Sequence, residues 1–145
     1  MHRLIRQSCN IAAEDIGKQK ADRIAEAAQK RYKELCRENA SDSKALRAHT
    51  YKRIYPGIAV YETMRAEGIE QEKAVWYIRE YFQRFAARIE PHLQRLIRLT
   101  GMARKMPGLF MKISRKNFGT DAGFVYEFPE SHGNEARFNI EKCPY

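Results

Sequence analysis

Phe124-Val-Tyr-Glu-Phe128, a polar stretch containing Gly133 and Asn134, and then Ala136-Arg-Phe-Asn-Ile140 decide the fold class. Both apolar segments alternate with a period of two, which is the pattern of strands whose successive side chains point to opposite faces. They follow roughly a hundred residues of helical pattern, and the chain then closes on Cys143-Pro144-Tyr145. A two-stranded hairpin is marginal on its own in water. Either the helices cover it, or another chain supplies further strands, or those strands are missing. Helices first and strands afterwards predict an α+β protein, with an N-terminal helical region over 12–118 and a short antiparallel hairpin or partial sheet over 119–145. At 145 residues this is one domain, large enough for a packed core, and eight tyrosines and seven phenylalanines supply the material.

Working back from the strands, Ala12 to about Glu38 reads as a helix carrying Ile16, Ile24, Ala28, Tyr32 and Leu35 on one stripe, with Gly17 as its weak point. Asn39-Ala-Ser-Asp-Ser43 breaks the pattern and offers a cap for the next helix. Pro56 kinks that helix or restarts it, and Gly68 stops it. The clearest amphipathic stripe follows: Ala74, Ile78, Phe82, Phe85 and Ile89, thickened by Val75, Trp76 and Tyr81. Pro91 bends or ends this helix. In a shorter segment, Met106 to Lys116, the side chains of Leu109, Phe110 and Ile113 are placed to dock.

The net charge of +9 is uneven. Residues 91–120 hold seven Lys/Arg and no acid, whereas 121–145 hold two against five. A basic segment with interleaved aromatics can meet a polyanion, an anionic membrane surface or a small anion, or simply face water. No helix-turn-helix or RNA-binding signature accompanies it, so nucleic acid is not the favoured partner. No apolar run approaches the eighteen or so residues of a membrane span. Cys9, Cys36 and Cys143 are odd in number and scattered, which fits reduced thiols in the cytoplasm rather than a disulfide framework or a zinc site. Phosphate-binding loops, dinucleotide fingerprints, HExxH and GxSxG are all absent. His49 and His92 read as structural or surface residues. His132, on the loop between the strands, can titrate near neutrality in the region that also holds Cys143. A thiol at a strand end is well placed for binding or attack, provided its pKa is lowered.

Tyr55-Pro56-Gly57-Ile58, the run Tyr61-Glu62-Thr63-Met64-Arg65-Ala66-Glu67-Gly68-Ile69, Glu72-Lys73-Ala74 and above all Phe138-Asn-Ile-Glu-Lys-Cys-Pro-Tyr145 resemble the L-2-amino-thiazoline-4-carboxylic acid hydrolase family. The resemblance implies helices packed on an antiparallel sheet. It also implies hydrolysis of a cyclic amidine, a hydrolase class acting on carbon–nitrogen bonds, in which water adds to a thiazoline ring to give an N-carbamoyl amino acid. By that resemblance Cys143 is a catalytic candidate; the chemistry of the residues themselves adds His132 as a second, and Tyr145, Arg104 and Arg115 as candidates for holding a small anionic substrate. Members of the family continue past the Cys-Pro-Tyr position, so the chain reads as a domain truncated at its C-terminus. A cofactor is not indicated either way, and the need for a metal stays open. The reading from another class is a non-catalytic interaction module, its exposed strands pairing with a partner or a second copy.

Overall fold

The computed structural model describes residues 1–100, 106–117, 125–127 and 139–142. The protein is mostly helical. Among the described residues, strand structure is confined to two short segments, β1 (Val125–Glu127) and β2 (Asn139–Lys142). They pair antiparallel, Tyr126 opposite Ile140 and Glu127 opposite Asn139, with an irregularity between Val125 and Tyr126. The α+β expectation is met in its helical part, with the strand part reduced to a minor two-stranded element whose second strand, Asn139–Lys142, begins three residues and ends two residues later than the expected 136–140. The residues that would form the hairpin loop lie outside the described ones. All four residues of β2 are exposed.

The chain forms two compact units, residues 1–42 with 50–88 and residues 43–49 with 89–145. Among the described residues, the buried core lies in the first unit. Helix α1 (Arg3–Ile16) starts nine residues before the expected helix. His2 caps it, its Nδ1 accepting from the Leu4 amide at 3.2 Å. Leu4, Ile5, Ser8, Cys9, Ile11 and Ala12 are buried, a stripe with helical spacing. At Gly17 the backbone takes φ 82° and ψ 147°, a region open essentially to glycine, and α2 (Lys18–Glu38) begins. A Cβ at Gly17 would meet nothing within 4 Å, so the constraint is conformational rather than steric. Ala21, Ile24, Ala25, Ala28 and Leu35 form the buried face of α2, with small alanines that let neighbouring helices approach closely.

A π-helical turn, Thr50–Ile54, leads directly into α4 (Tyr55–Ala66), and Pro56 lies in the first turn of α4, where a missing N–H costs little. Helix α4 ends on a Schellman arrangement. The Ile69 amide bonds to the Met64 carbonyl at 3.0 Å, the Gly68 amide bonds to Arg65 at 3.1 Å, and Gly68 has φ 78°. Met64 and Ile69 both enter the core, so the cap and the hydrophobic packing reinforce each other. Across the helices, Arg31 on α2 binds Glu62 on α4 at 2.7 Å and Glu38 at 2.8 Å, an exposed network that orients more than it stabilises.

Helix α5 (Gln71–Thr100) supplies only Ala74 and Tyr77 as fully buried residues, with Ile78 and Tyr81 packed at the core edge. Here the stripe expectation is corrected. Phe82, Phe85 and Ile89 are 49%, 39% and 41% exposed, because the core lies against the neighbouring line 74–77–78–81. Pro91 does not end the helix either, which runs on through it to Thr100.

Of the second unit, the described parts are α3 (Lys44–His49), the end of α5, α6 (Met106–Asn117) and the two strands. Ser43 caps α3, its Oγ accepting from the Leu46 amide at 3.1 Å. Leu109, Phe110 and Ile113 on α6 are partly exposed.

Ser8 is fully buried, and its hydroxyl has no hydrogen-bond partner. Replacing it by alanine removes an unsatisfied polar group, so Ser8→Ala is expected to raise stability by about 1 kcal/mol in urea unfolding. Ile24→Ala, at a site with no exposure, is expected to lower it by about 2–5 kcal/mol in the same measurement.

Candidate functional site

The described residues form a cleft of about 210 Å³ between α1 and α5. One wall is the helical line Arg3, Gln7, Asn10 and Glu14, and the other is Tyr81, Arg84, Phe85 and Arg88. Their spacings of three and four residues put each set on one side of its helix. Ile11 contributes an apolar patch from α1.

The cations of the cleft are held differently. Arg84 is committed to acids, with Glu80 at 2.8 Å and Glu14 at 3.6 Å. Those carboxylates hold its guanidinium above its ordinary pKa, Glu80 foremost. The Arg3 guanidinium lies 5.6 Å from the centre of the Phe85 ring, a cation–π contact that leaves its N–H groups free to donate. Arg88 makes no ion pair among the described residues. Three guanidiniums and two side-chain amides thus face one carboxylate, Glu14, which already has a cation beside it.

Next to the cleft, Tyr77 fixes α5 against α1. Its side chain is fully buried, and its hydroxyl donates to Asp15 Oδ2 at 2.9 Å. Lys73 Nζ reaches the same oxygen at 3.2 Å. The Tyr77 hydroxyl and then the Lys73 ammonium hold the Asp15 carboxyl below the usual carboxylate range. Burial, followed by the bond to Asp15, pushes the Tyr77 phenol up.

The thiols differ in kind. Burial pushes Cys9 up to about 12, which keeps it protonated and inert as a nucleophile at neutral pH. Cys36 is half-buried, and both thiols are free. Among the described residues there is no cluster of three or more metal-ligating side chains. No described helix is long and apolar enough to cross a membrane.

Of the residues singled out by sequence, Cys143, His132, Tyr145 and Arg104 lie outside the described ones. Arg115 is on α6, and its side chain is likewise not described. The structure therefore does not bring these five together or separate them. The described cations of the basic segment, Arg95 and Arg98 on α5 and Lys112 on α6, are exposed. What sequence reasoning missed is the line Arg3, Gln7, Asn10 and Glu14. Its steps of four, three and four were there to be read, inside a segment whose charge drew attention away from its periodicity.

The fold and its cleft define a mostly helical protein with a concavity rich in hydrogen-bond donors. The chain belongs to the L-2-amino-thiazoline-4-carboxylic acid hydrolase family, whose model matches residues 47–145. No curated protein and no solved structure matches the chain.

The Asp15 contacts set a pH dependence whose sign is fixed. With the folded carboxyl lowered, its stabilising effect is present above the unfolded value of about 3.9 and is lost as pH falls through the folded one. Carboxyl NMR titration is expected to place Asp15 below ordinary aspartates in the native protein. In Tyr77→Phe it is expected to move back toward them, flattening the acid limb of the stability curve.

Proposed function

We propose that this chain is the whole or a part of a hydrolase that opens the ring of L-2-amino-thiazoline-4-carboxylate to N-carbamoyl-cysteine. The observation that carries the reading is the family match over residues 47–145, which takes in the Phe138–Tyr145 segment. Water adds to the amidine-like ring carbon, the bond from that carbon to the ring sulfur breaks, and the sulfur leaves as a thiol that takes up a proton. The former ring carbon becomes the carbonyl of a carbamoyl group still joined to the amino-acid nitrogen, so one water is consumed and nothing else is released.

In this scheme the Cys143 thiolate attacks the ring carbon first and expels the ring sulfur. Water then displaces Cys143 from the carbon, regenerating the thiol. His132 delivers the proton to the departing sulfur and takes one from the attacking water. Arg104 and Arg115 hold the substrate carboxylate by charge-assisted hydrogen bonds, and Tyr145 lines the pocket. Free thiols at Cys9 and Cys36 support a reducing, cytoplasmic setting. The exposed strand β2 supports pairing with a second copy, and completion of the sheet by another chain or by further strands belongs to the same reading.

Incubation with the thiazoline acid is expected to release one thiol per substrate, scored with a disulfide reagent after the protein is removed. Cys143→Ala is expected to cut the rate by a factor on the order of 10³ or more. His132→Gln should lose roughly 10²- to 10⁴-fold. Absence of thiol from this chain and from versions extended beyond Tyr145, while another family member turns over alongside, overturns the reading.

A further inference from the structure

We propose that the α1/α5 cleft is a binding site for a small carboxylate carrying a flat apolar body. Its α1 wall, Arg3, Gln7, Asn10 and Glu14, precedes the matched span of residues 47–145, whereas Tyr81, Arg84, Phe85 and Arg88 lie within it. Three features of the cleft point to such a ligand.

The first is the state of the cations. Arg88 has no ion-pair partner among the described residues, and Arg3 is placed on the face of Phe85 with its donors uncommitted. A guanidinium is a planar fork that matches a carboxylate with two parallel N–H bonds. The one acid on the lining, Glu14, is already drawn to Arg84 at 3.6 Å and so competes weakly for the other two cations.

The second is the remaining lining. Gln7 and Asn10 offer amide donors, whereas Ile11, Tyr81 and Phe85 offer apolar surface. A bare inorganic anion leaves that apolar wall unused, and a neutral apolar molecule leaves the guanidiniums unused. A carboxylate on a small ring uses both. The third is size. At about 210 Å³ the cleft holds about seven waters at ~30 Å³ each, which is room for the buried part of a ligand of similar heavy-atom count.

The cleft is open to water on one side, since Arg84 and Arg88 are exposed on α5. Binding is therefore expected to be modest and to weaken with salt. It is also expected to be insensitive to pH between about 6 and 9, because guanidiniums do not titrate there.

Benzoate is the probe, with benzamide as its neutral isostere and inorganic phosphate as the bare anion. Titration of the full chain, followed by the side-chain amide signals of Gln7 and Asn10 in ¹⁵N-edited NMR, is expected to show saturable shifts with benzoate. Benzamide should bind at least tenfold more weakly, and phosphate should displace benzoate poorly. Arg88→Gln is expected to weaken benzoate about tenfold, with Arg88→Lys restoring part of the loss, while far-UV circular dichroism stays unchanged because Arg88 is solvent-exposed. Arg3→Gln gives an independent variant at the opposite wall and should weaken benzoate as well. Equal binding of benzoate and benzamide overturns the proposal, as does phosphate binding tighter than benzoate, or native affinity in both arginine variants. None of these readouts depends on turnover, so the result stands apart from the fate of the thiazoline reaction.

Discussion

The burial of Tyr77 with its hydroxyl on Asp15 is the constraint on which the first unit depends. A tyrosine with no exposed surface is tolerated only when its polar end finds a partner, and α1 supplies one at its last turn. Once Tyr77 points inward, the rotation of α5 about its own axis is fixed. Ala74, Ile78 and Tyr81 follow it toward the core, and Arg84, Phe85 and Arg88 come round opposite α1. One hydrogen-bonded phenol thus sets both the packing of the helices and the composition of the cleft. Lys73 strengthens the arrangement by meeting the same carboxylate from α5, so a single aspartate on α1 receives two donors from one helix.

Punctuation was the most legible part of the fold. Gly68 stops α4, Pro56 opens it, Ser43 caps α3, and Gly17 separates two helices, each for a reason that resides in the residue itself. Burial was less legible, because it depends on what lies opposite. The line Phe82, Phe85, Ile89 has sound helical period and high hydrophobicity, yet the core sits one face over, where Tyr77 is anchored. The π turn at Thr50–Ile54 could not be read from residue types, since it is defined by which carbonyl each amide reaches. Pro91 illustrates the same limit. It removes one helical hydrogen bond, but the carbonyl it strands belongs to Ala87, which is exposed and can turn to water, so the helix continues.

The candidate site divides in the same way. Cys143, His132, Tyr145, Arg104 and Arg115 were reached through family likeness and local chemistry, without spatial information. The α1/α5 cleft is visible only once two helical walls whose lining residues are more than sixty positions apart in sequence are brought together. Its α1 wall was hidden because Arg3 and Arg6 dominate the opening residues and mask the apolar stripe Leu4, Ile5, Cys9 and Ala12 beneath them. Charge at the surface and apolar residues facing inward are what a docked helix requires, and a six-residue glance shows only the charge.

Cys9 has a practical consequence. Its thiol is 2% exposed and raised to about 12, so a disulfide reagent at neutral pH meets it only when the helices part. Cys36, half-buried and free, offers an internal reference in the same unit. The lag between labelling at the two sulfurs is a clock for helix separation, and it runs without a spectroscopic tag or an engineered residue.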